Sequence, residues 1–386
     1  MSSYPTSDMD ASIIVLAYNH LDETTAPCLD SILEHTDLTR NELIVVDNAS
    51  SDGTAEYLRE FQRRHPKVQL CLNDVNKGYA GGNNDGMRLA SGRVVILLNN
   101  DTLVGPGWLA PLVDVLEQDP GVGMVGPVTN SAGNEQRIVL PDVTPENFIS
   151  ATTPYLAQQH GIYSETAKLG FFCVAIRRDV IEKIGVLDEA FGIGMFEDDD
   201  LCVRAISAGY RLLIAEGAFV YHKGSVSVSK LGTEKYQGLF FKNLAYFFEK
   251  HNAAWTYTDI SIAAWKRLKQ DTHQALEGDR AAAARVRTRA SLMDDTLSQA
   301  RRQEEAAMQS SSSELSNRIA AKKHAELMEI SNWATSLKAE NERLSLALQE
   351  QERRSGSAAA TDPAIMPAAG LLVRAVGRKI KRLLGA

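Results

Sequence analysis

The chain has only four cysteines in 386 residues, and none belongs to a CxxC pair: Cys28, Cys71, Cys173 and Cys202. Four thiols at such wide spacing are too few for a disulfide framework, and they lack the paired spacing of a thiolate zinc site. We therefore expect reduced thiols in the core of a cytoplasmic protein.

Basic residues are not in excess either, because 41 Lys and Arg stand against 49 Asp and Glu and give a formal net charge of -8. A phosphate backbone demands a basic surface, so we expect no nucleic-acid partner. No segment approaches the ~20 apolar residues that cross a bilayer. The polar first ten residues also lack the basic and apolar segments of a signal peptide. These absences predict an intracellular protein without a membrane span.

Short β-branched runs alternate with helical patterns from Ser12 to about Asn252. The predicted strands are Ser12–Ala17, Glu42–Asp47, Val68–Asn73 and Arg93–Leu98, and helices are predicted over 24–35, up to Arg64, and after a glycine-rich turn up to about Ala90. Continuous apolar strands separated by helices predict an α/β fold with a mostly parallel sheet flanked by helices. Ligands bind such sheets at the carboxyl ends of the strands.

Two segments at this predicted edge are suited to a nucleotide. Asp47 closes the second strand, and its carboxylate could accept the N3–H of a uracil or thymine ring; a turn Asp bonding its own backbone is the alternative. The segment Lys77–Asn84 is rich in glycine, which allows close approach of a phosphate or ribose, although a plain tight turn remains open. Its spacing matches neither GxGxxG nor GxxxxGK[ST], which argues against a dinucleotide fold and a P-loop.

Three further positions are suited to metal and proton chemistry. Asp101 lies just past an apolar strand, where its oxygen could hold Mg²⁺ or Mn²⁺, or could cap a helix. His222 follows a strand-like run and could be a second metal ligand or a structural histidine. The run Glu197–Asp200 opens a predicted helix, and one of these acids could act as a general base; a surface cluster at a helix start is the alternative.

In their order along the chain, these motifs resemble the family 2 glycosyltransferases of the GT-A fold, in particular the rhamnosyltransferase-like group. The similarity covers about residues 12–228. It rests on residues 12–19, 45–54, 76–84, 98–102, 172–178, 184–189, 197–204, 208–210 and 220–222.

The resemblance implies transfer of a sugar from a UDP- or dTDP-linked donor, with Mn²⁺ or Mg²⁺ and inversion at the anomeric carbon. Asp198 would then be the catalytic base, with Glu197 as the competing candidate, and Asp101 and His222 would hold the metal. The implied contacts to the nucleotide sugar are Ala17, Asn19, Asp47, Lys77, Gly78, Asn83, Asn99 and Asn100.

Two departures from the family pattern refine this expectation. Asn99 stands at the first acid of the DxD motif, so we expect weak metal affinity without the donor. The Gln-x-x-Arg-Trp motif and membrane spans of processive relatives are absent, which favours transfer of one sugar or a few. The expected acceptor is a hydroxyl of a cell-envelope glycan, glycolipid or protein.

The composition predicts three regions: a catalytic domain (1–252), a helical extension (253–356) and a linker with a basic amphipathic tail (357–386). Leu327, Ala334, Asn341 and Leu348 repeat every seven residues and predict a short coiled coil over about 320–352. This pattern favours a parallel homodimer, with a single packed helix as the alternative. The tail is typical of a helix on the inner face of the plasma membrane, or of an ordinary surface helix.

Two other functions stay open on the sequence alone. A catalytically silent scaffold would use the coiled coil and the tail to place partners at the membrane, but it has no need of Asp101, Asp198 and His222 together. A nucleotidyltransferase shares the sheet and the metal. It should carry a glycine-rich signature with a basic residue near the first strand, and residues 16–25 lack one.

Overall fold

The computed structural model describes residues 9–224, 233–251, 267–268, 270–275 and 277–289. The chain divides into two compact units, Met1–Trp255 and Thr256–Ala386. In the second unit, residues 270–275 are helical and a further helix covers Arg280–Arg289; Arg285 binds Asp271 at 2.6 Å, and both side chains are buried. The predicted coiled coil (320–352) and the tail (357–386) lie outside the described residues.

Nine strands of the described region form one sheet in the order β3-β2-β1-β4-β8-β6-β9-β5, with β7 paired to β9. They are β1 (Ala11–Ala17), β2 (Asn41–Asp47), β3 (Gln69–Leu72), β4 (Val94–Asn99), β5 (Thr102–Val104), β6 (Val122–Val128), β7 (Tyr163–Thr166), β8 (Cys173–Arg177) and β9 (Arg211–His222).

The described residues of the first unit also form helices. They are α1 (Ala26–His35), preceded by a π-helical turn at Leu21–Thr25, α2 (Thr54–Arg64), α3 (Gly78–Leu89), α4 (Ala110–Gln118), α5 (Phe148–Leu156), α6 (Arg178–Ile184), a 3₁₀ turn at Glu189–Phe191, α7 (Glu197–Ser207) and α8 (Thr233–His251). In the second unit, Arg280–Arg289 is α9.

The strand directions explain why polar residues collect at one edge. β1 pairs in parallel with β2 and β4, β2 with β3, and β6 with β9, whereas β5, β7 and β8 run the opposite way. The carboxyl ends of β1, β2, β4 and β9 therefore share one edge. Ala17 pairs with Asp47 and Leu16 with Asn99 there. The predicted α/β class is confirmed, but the sheet is mixed, with four parallel and four antiparallel strand pairs among the described residues.

The core forms because the apolar strands are covered on both faces. Residues of β1, β2 and β4 such as Ile13, Val45 and Ile96 are fully buried. The described helices include none that is both long enough and apolar enough to span a bilayer.

The glycine-rich segment differs from the prediction. We expected a turn before the helix, but α3 already begins at Gly78 and contains Gly81, Gly82 and Gly86. A Cβ at Gly82 would lie 2.4 Å from a methyl carbon of Leu16, and one at Gly86 would lie 2.4 Å from a methyl carbon of Ile14. The glycines therefore let α3 approach β1 closely, a packing role that outweighs their low helix propensity.

Candidate active site

Asp47 ends β2 with one carboxylate oxygen unused. Its Oδ2 accepts a hydrogen bond from the Ser50 backbone N–H at 3.3 Å. Its Oδ1 is buried and has no hydrogen-bond partner among the described residues. A buried acceptor without a donor costs free energy, so Oδ1 is placed to receive a hydrogen bond from a ligand. Ala17, its partner in register, lines the same strand end.

Asn19 holds the loop that follows Asp47. Its backbone is left-handed (φ 55°), its Oδ1 accepts from the Ser51 N–H at 2.8 Å, and its own N–H donates to the Ser50 hydroxyl at 2.8 Å. These bonds tie the first βα loop to the second. Asn19 thus fixes the backbone of the loop at the edge of the sheet where we expect the nucleotide.

Asn48 joins the same loop to the start of α3, and it is not among the site residues predicted from the sequence. Its Nδ2 donates to Asn76 Oδ1 at 2.9 Å and to the Gly78 carbonyl at 3.0 Å, while its Oδ1 accepts from the Lys77 N–H at 3.1 Å. The position of Asn48 directly after Asp47 indicates that it lies near the predicted nucleotide site. Only the fold shows that residues 76–78 lie within hydrogen-bond distance of its side chain.

The predicted contacts in α3 have partners of their own. Lys77 pairs with Asp85 at 2.7 Å and is exposed. Asn83 is buried inside α3, and its Nδ2 donates to the Tyr79 carbonyl at 3.0 Å.

Gly78 (φ 72°) approaches another loop of the protein, because a Cβ there would lie 2.0 Å from the Gly192 carbonyl oxygen. Next to it, the Tyr79 N–H donates to the Ile193 carbonyl at 3.1 Å. The loop around residue 192 therefore fills the space on the Cβ side of Gly78, and the nucleotide contact expected at Gly78 stays a prediction.

Asp101 and His222 face each other at the carboxyl ends of β4 and β9. Asp101 Oδ1 is buried and accepts no hydrogen bond from the described part of the chain, although His222 Nε2 lies 3.3 Å away. The Nδ1 of His222 lies 2.7 Å from the Ser131 carbonyl, so Nδ1–H donates there and Nε2 is directed at Asp101. Burial lowers the pKa of His222, but the Asp101 carboxylate outweighs it and the pKa is raised.

Backbone contacts hold this pair in place. Asn130 accepts from the His222 N–H at 2.9 Å and donates to the His222 carbonyl at 3.0 Å. The ring of Phe172 stacks on the imidazole with centroids 5.2 Å apart. Such supports fix the orientation of a ligating histidine.

Asn99 and Asn100 differ in what they reach. Asn99 is half-buried at the end of β4, and its carbonyl accepts from the Thr102 hydroxyl at 2.6 Å. Asn100 Nδ2 donates to the hydroxyls of Thr24 and Thr25 at 3.2 and 2.9 Å, so its amide is directed at the start of α1.

The Asp101–His222 pair fits a divalent cation with few protein ligands. Within residues 9–224 and the other described segments, no group of three or more His, Cys, Asp or Glu side chains is placed to hold a metal. A buried carboxylate oxygen without a donor and an imidazole nitrogen 3.3 Å from it are nevertheless suitable first ligands. Mg²⁺ and Mn²⁺ complete such sites with substrate phosphates and water.

The four acids that open α7 lie in four different environments. Glu197 is buried, and its Oε2 has no hydrogen-bond partner in the described segments. Burial first, and then the charge of Asp198, raise the pKa of Glu197 to about 8. Asp200 is fully buried and pairs with Arg204, Lys250 and His251 at 2.7 Å each.

Asp198 is the one acid of this run that is not buried, with 23% of its side chain exposed. Lys168, which the sequence argument missed, lies beneath it: its ammonium binds Asp199 at 2.5 Å and lies 4.0 Å from Asp198. Burial raises the pKa of Asp199 to about 6, although Lys168 opposes the rise. The Lys168 ammonium therefore lies close to the Asp198 carboxylate, the accessible one of the run.

Tyr79 connects the two acidic groups. Its buried hydroxyl donates to the Phe171 carbonyl at 2.6 Å, next to the Phe172 ring that stacks on His222. The pKa of Tyr79 is raised well above its ordinary value by burial first, and then by Glu197, Asp198 and Asp101 among other charges. Carboxylates more than ninety residues apart in the sequence therefore act on one phenol.

Parts of the chain are similar to known glycosyltransferases. Residues 12–185 match the Glycosyl transferase family 2 profile. Glycosyltransferase AglE of Haloferax volcanii is 27% identical over 214 residues, which are 55% of this chain and 66% of that protein. Succinoglycan biosynthesis protein ExoO of Rhizobium meliloti is 26% identical over 228 residues, which are 58% of this chain and 63% of that protein.

Among solved structures, GalNAc-T7 with UDP, GalNAc and Mn²⁺ aligns with a TM-score of 0.50 at 17% identity, over 62% of this chain and 48% of that one. This likeness shows the fold. The chain spans two thirds or less of the length of these curated relatives.

We predict that Gly78→Ala destabilises the protein by ~3 kcal/mol, because its φ of 72° strains an L-residue and its Cβ would collide with the Gly192 carbonyl. Gly107→Ala is the matched control, since Gly107 has a φ of 73° and an added Cβ would have no described heavy atom within 4 Å. Gly107→Ala should lower the free energy of unfolding by ~1 kcal/mol, as measured by urea denaturation. Equal losses in both variants would contradict the close approach.

We also predict that Glu197 makes stability depend on pH. The folded protein keeps its proton up to a pKa of about 8, whereas the unfolded chain releases it near the ordinary value. The folded state therefore binds more protons between about pH 5 and pH 8, and the free energy of unfolding falls as the pH rises.

Glu197→Gln should flatten this fall in urea denaturation between about pH 5 and pH 8. The exposed Glu165→Gln is the control and should keep the wild-type slope. A Glu197→Gln protein with the wild-type slope would contradict the assignment.

Proposed function

We propose that this chain, whose residues 12–185 match the profile of glycosyltransferase family 2, transfers a sugar from a nucleotide-diphosphate donor to an acceptor hydroxyl with inversion. One observation carries the proposal. The charges of Asp198 and of Asp101, the partner of His222, both raise the pKa of the Tyr79 phenol, which supports a base and a cation site at one edge of the sheet.

The donor in this proposal is a UDP- or dTDP-sugar. Asp47 Oδ1 would accept the N3–H that uracil and thymine share, which satisfies an acceptor that the described residues leave unpaired. Asn19 and Asn48 would keep the surrounding loops in place. GalNAc-T7, which shares the fold, was solved with UDP, and this is consistent with the proposed donor class.

Asp101 and His222 would hold Mn²⁺ or Mg²⁺ together with the donor diphosphate. Such a cation neutralises the charge that develops on the leaving diphosphate. The chain supplies one carboxylate and one imidazole there, since Asn99 replaces the first acid of the motif. We therefore expect the cation and the donor to bind cooperatively.

Asp198 would take the proton of the acceptor hydroxyl as that oxygen attacks the anomeric carbon from the face opposite the diphosphate. The ammonium of Lys168 lies 4.0 Å from this carboxylate, which is the accessible one of the run. Glu197 is less suited, because burial stabilises its protonated form at neutral pH. Attack from the far side inverts the configuration of the sugar.

We propose a cell-envelope glycan, glycolipid or protein as the acceptor, at the cytoplasmic face of the membrane. The match to a succinoglycan biosynthesis protein supports a polysaccharide acceptor. The contacts of Asp198, Asp101 and His222 favour an enzyme over the silent scaffold that the sequence left open, because a scaffold has no need of this constellation.

We predict that Asp198→Asn loses at least ~100-fold in kcat, because no general base remains to accept the proton. Its affinity for the donor should stay within about threefold of wild type, since the nucleotide contacts are untouched. The measurement is release of UDP or dTDP from a panel of nucleotide sugars with Mn²⁺, together with donor affinity by calorimetry.

Glu197→Gln is the matched comparison in the same helix turn. It should retain more than about a tenth of wild-type kcat, because its carboxyl is already protonated at neutral pH. The reverse ranking would make Glu197 the base, and full turnover in both variants would remove the base from α7 altogether.

A further inference from the structure

Helix α8 lies outside the matched region of residues 12–185, yet it contacts the loop that leads into the acid run. Phe196, the residue before Glu197, packs between Phe240 and Phe247 with ring centroids 5.2 and 5.7 Å apart. Phe191, at the start of the loop, packs edge-on against Tyr246 at 5.0 Å. One face of α8 therefore packs against the two ends of the loop, at Phe191 and Phe196.

This loop has an unfavourable backbone. Gly192, Gly194, Met195 and Phe196 all have positive φ, with values of 71°, 156°, 79° and 73°. Two consecutive left-handed residues with bulky side chains are strained and persist only where neighbours hold them. The strain ends at Phe196, directly before the turn that carries Glu197 and Asp198.

Asn243 of α8 is what holds this backbone. Its Nδ2 donates to the carbonyls of Phe191, Gly194 and Met195 at 2.8, 2.8 and 3.1 Å. The side chain is 1% exposed, and its Oδ1 has no partner among the residues that are described. Three carbonyls around one amide require its nitrogen to face them, so the loop depends on this donor.

The same helix also fixes the other side of the acid run. Lys250 and His251, at its end, each lie 2.7 Å from Asp200 Oδ1. Lys250 further binds Asp188 at 2.5 Å, just before the loop. Residues on both sides of Asp198 in the chain thus contact α8. No bond described above joins Asp198 itself to these side chains of α8.

We propose that Asn243 is a positioning residue for catalysis: by fixing the strained loop 191–196, it sets where the Asp198 carboxylate lies relative to the Tyr79 side of the site. The inference rests on the proposed function. The loop is the physical link, because its Ile193 carbonyl accepts from the Tyr79 N–H at one end and its Phe196 precedes α7 at the other.

The test compares two isosteric substitutions in the full chain. Asn243→Asp keeps the shape but replaces the N–H donors with an acceptor against carbonyl oxygens. Asn41→Asp is the matched control, because Asn41 is also a buried amide whose Nδ2 donates to a carbonyl, that of Asp37 at 2.9 Å, and whose Oδ1 lacks a described partner. Asn41 begins β2, at the opposite edge of the sheet from the site.

For Asn243→Asp we expect kcat for Mn²⁺-dependent hydrolysis of the best UDP- or dTDP-sugar to fall ~10- to 100-fold, with the donor KM within about threefold. Asn41→Asp should lower the melting temperature by about as much as Asn243→Asp does, but it should keep kcat within about twofold. If either Asp variant fails to fold, Asn243→Ala and Asn41→Ala are compared in the same way.

A folded Asn243 variant with wild-type kcat, or with a loss matched by the Asn41 control, would overturn the positioning role while wild-type turnover still supported the proposed function. A wild-type protein that hydrolyses none of the donors would refute the proposed function and this inference with it. The two failures are thus distinguished by the wild-type rate.

Discussion

Four adjacent carboxylates at the start of α7 repel one another, and the surrounding structure depends on how that repulsion is reduced. Burial favours a proton on Glu197, and Lys168 binds Asp199. Asp200 is contacted by the side chains of Arg204, Lys250 and His251. Asp198 is left half-exposed and close to Lys168. The helix N-terminus favours negative charge and adds to this arrangement. One accessible acid is therefore obtained from a run of four.

The sheet brings the second acidic group to the same place. β4 and β9 run in the same direction, so Asp101 and His222 meet at their carboxyl ends although 120 residues separate them in the sequence. Tyr79 and the segment at Phe171 and Phe172 connect this pair to α7. Because the two groups stand on different elements, their relative position depends on the loop 191–196 and on the α8 residues that hold it.

Much of this arrangement could be predicted from the sequence because it follows from local patterns. The four apolar runs predicted as strands correspond to β1, β2, β3 and β4, and the polar residues after them mark the edge where we expect the donor. The family resemblance is confirmed, whereas its rhamnosyltransferase-like subgroup stays a prediction. The roles of Lys168, Asn48 and Asn243 could not be foreseen, because each depends on contacts between residues far apart in the chain. Gly78 shows a similar limit: its glycine indicated a close approach, and the fold adds that the Gly192 carbonyl is one close neighbour, while the predicted nucleotide contact of Gly78 stays a prediction.

The central claim is that Asp47, Asp101 and Asp198 surround a single donor molecule. A crystal structure of the protein with UDP and Mn²⁺ tests it most directly. The account predicts an anomalous Mn²⁺ peak between Asp101 and the diphosphate, the uracil N3–H on Asp47, and Asp198 facing the position of the sugar. Mn²⁺ bound away from Asp101, or UDP bound away from Asp47 and α7, would contradict it.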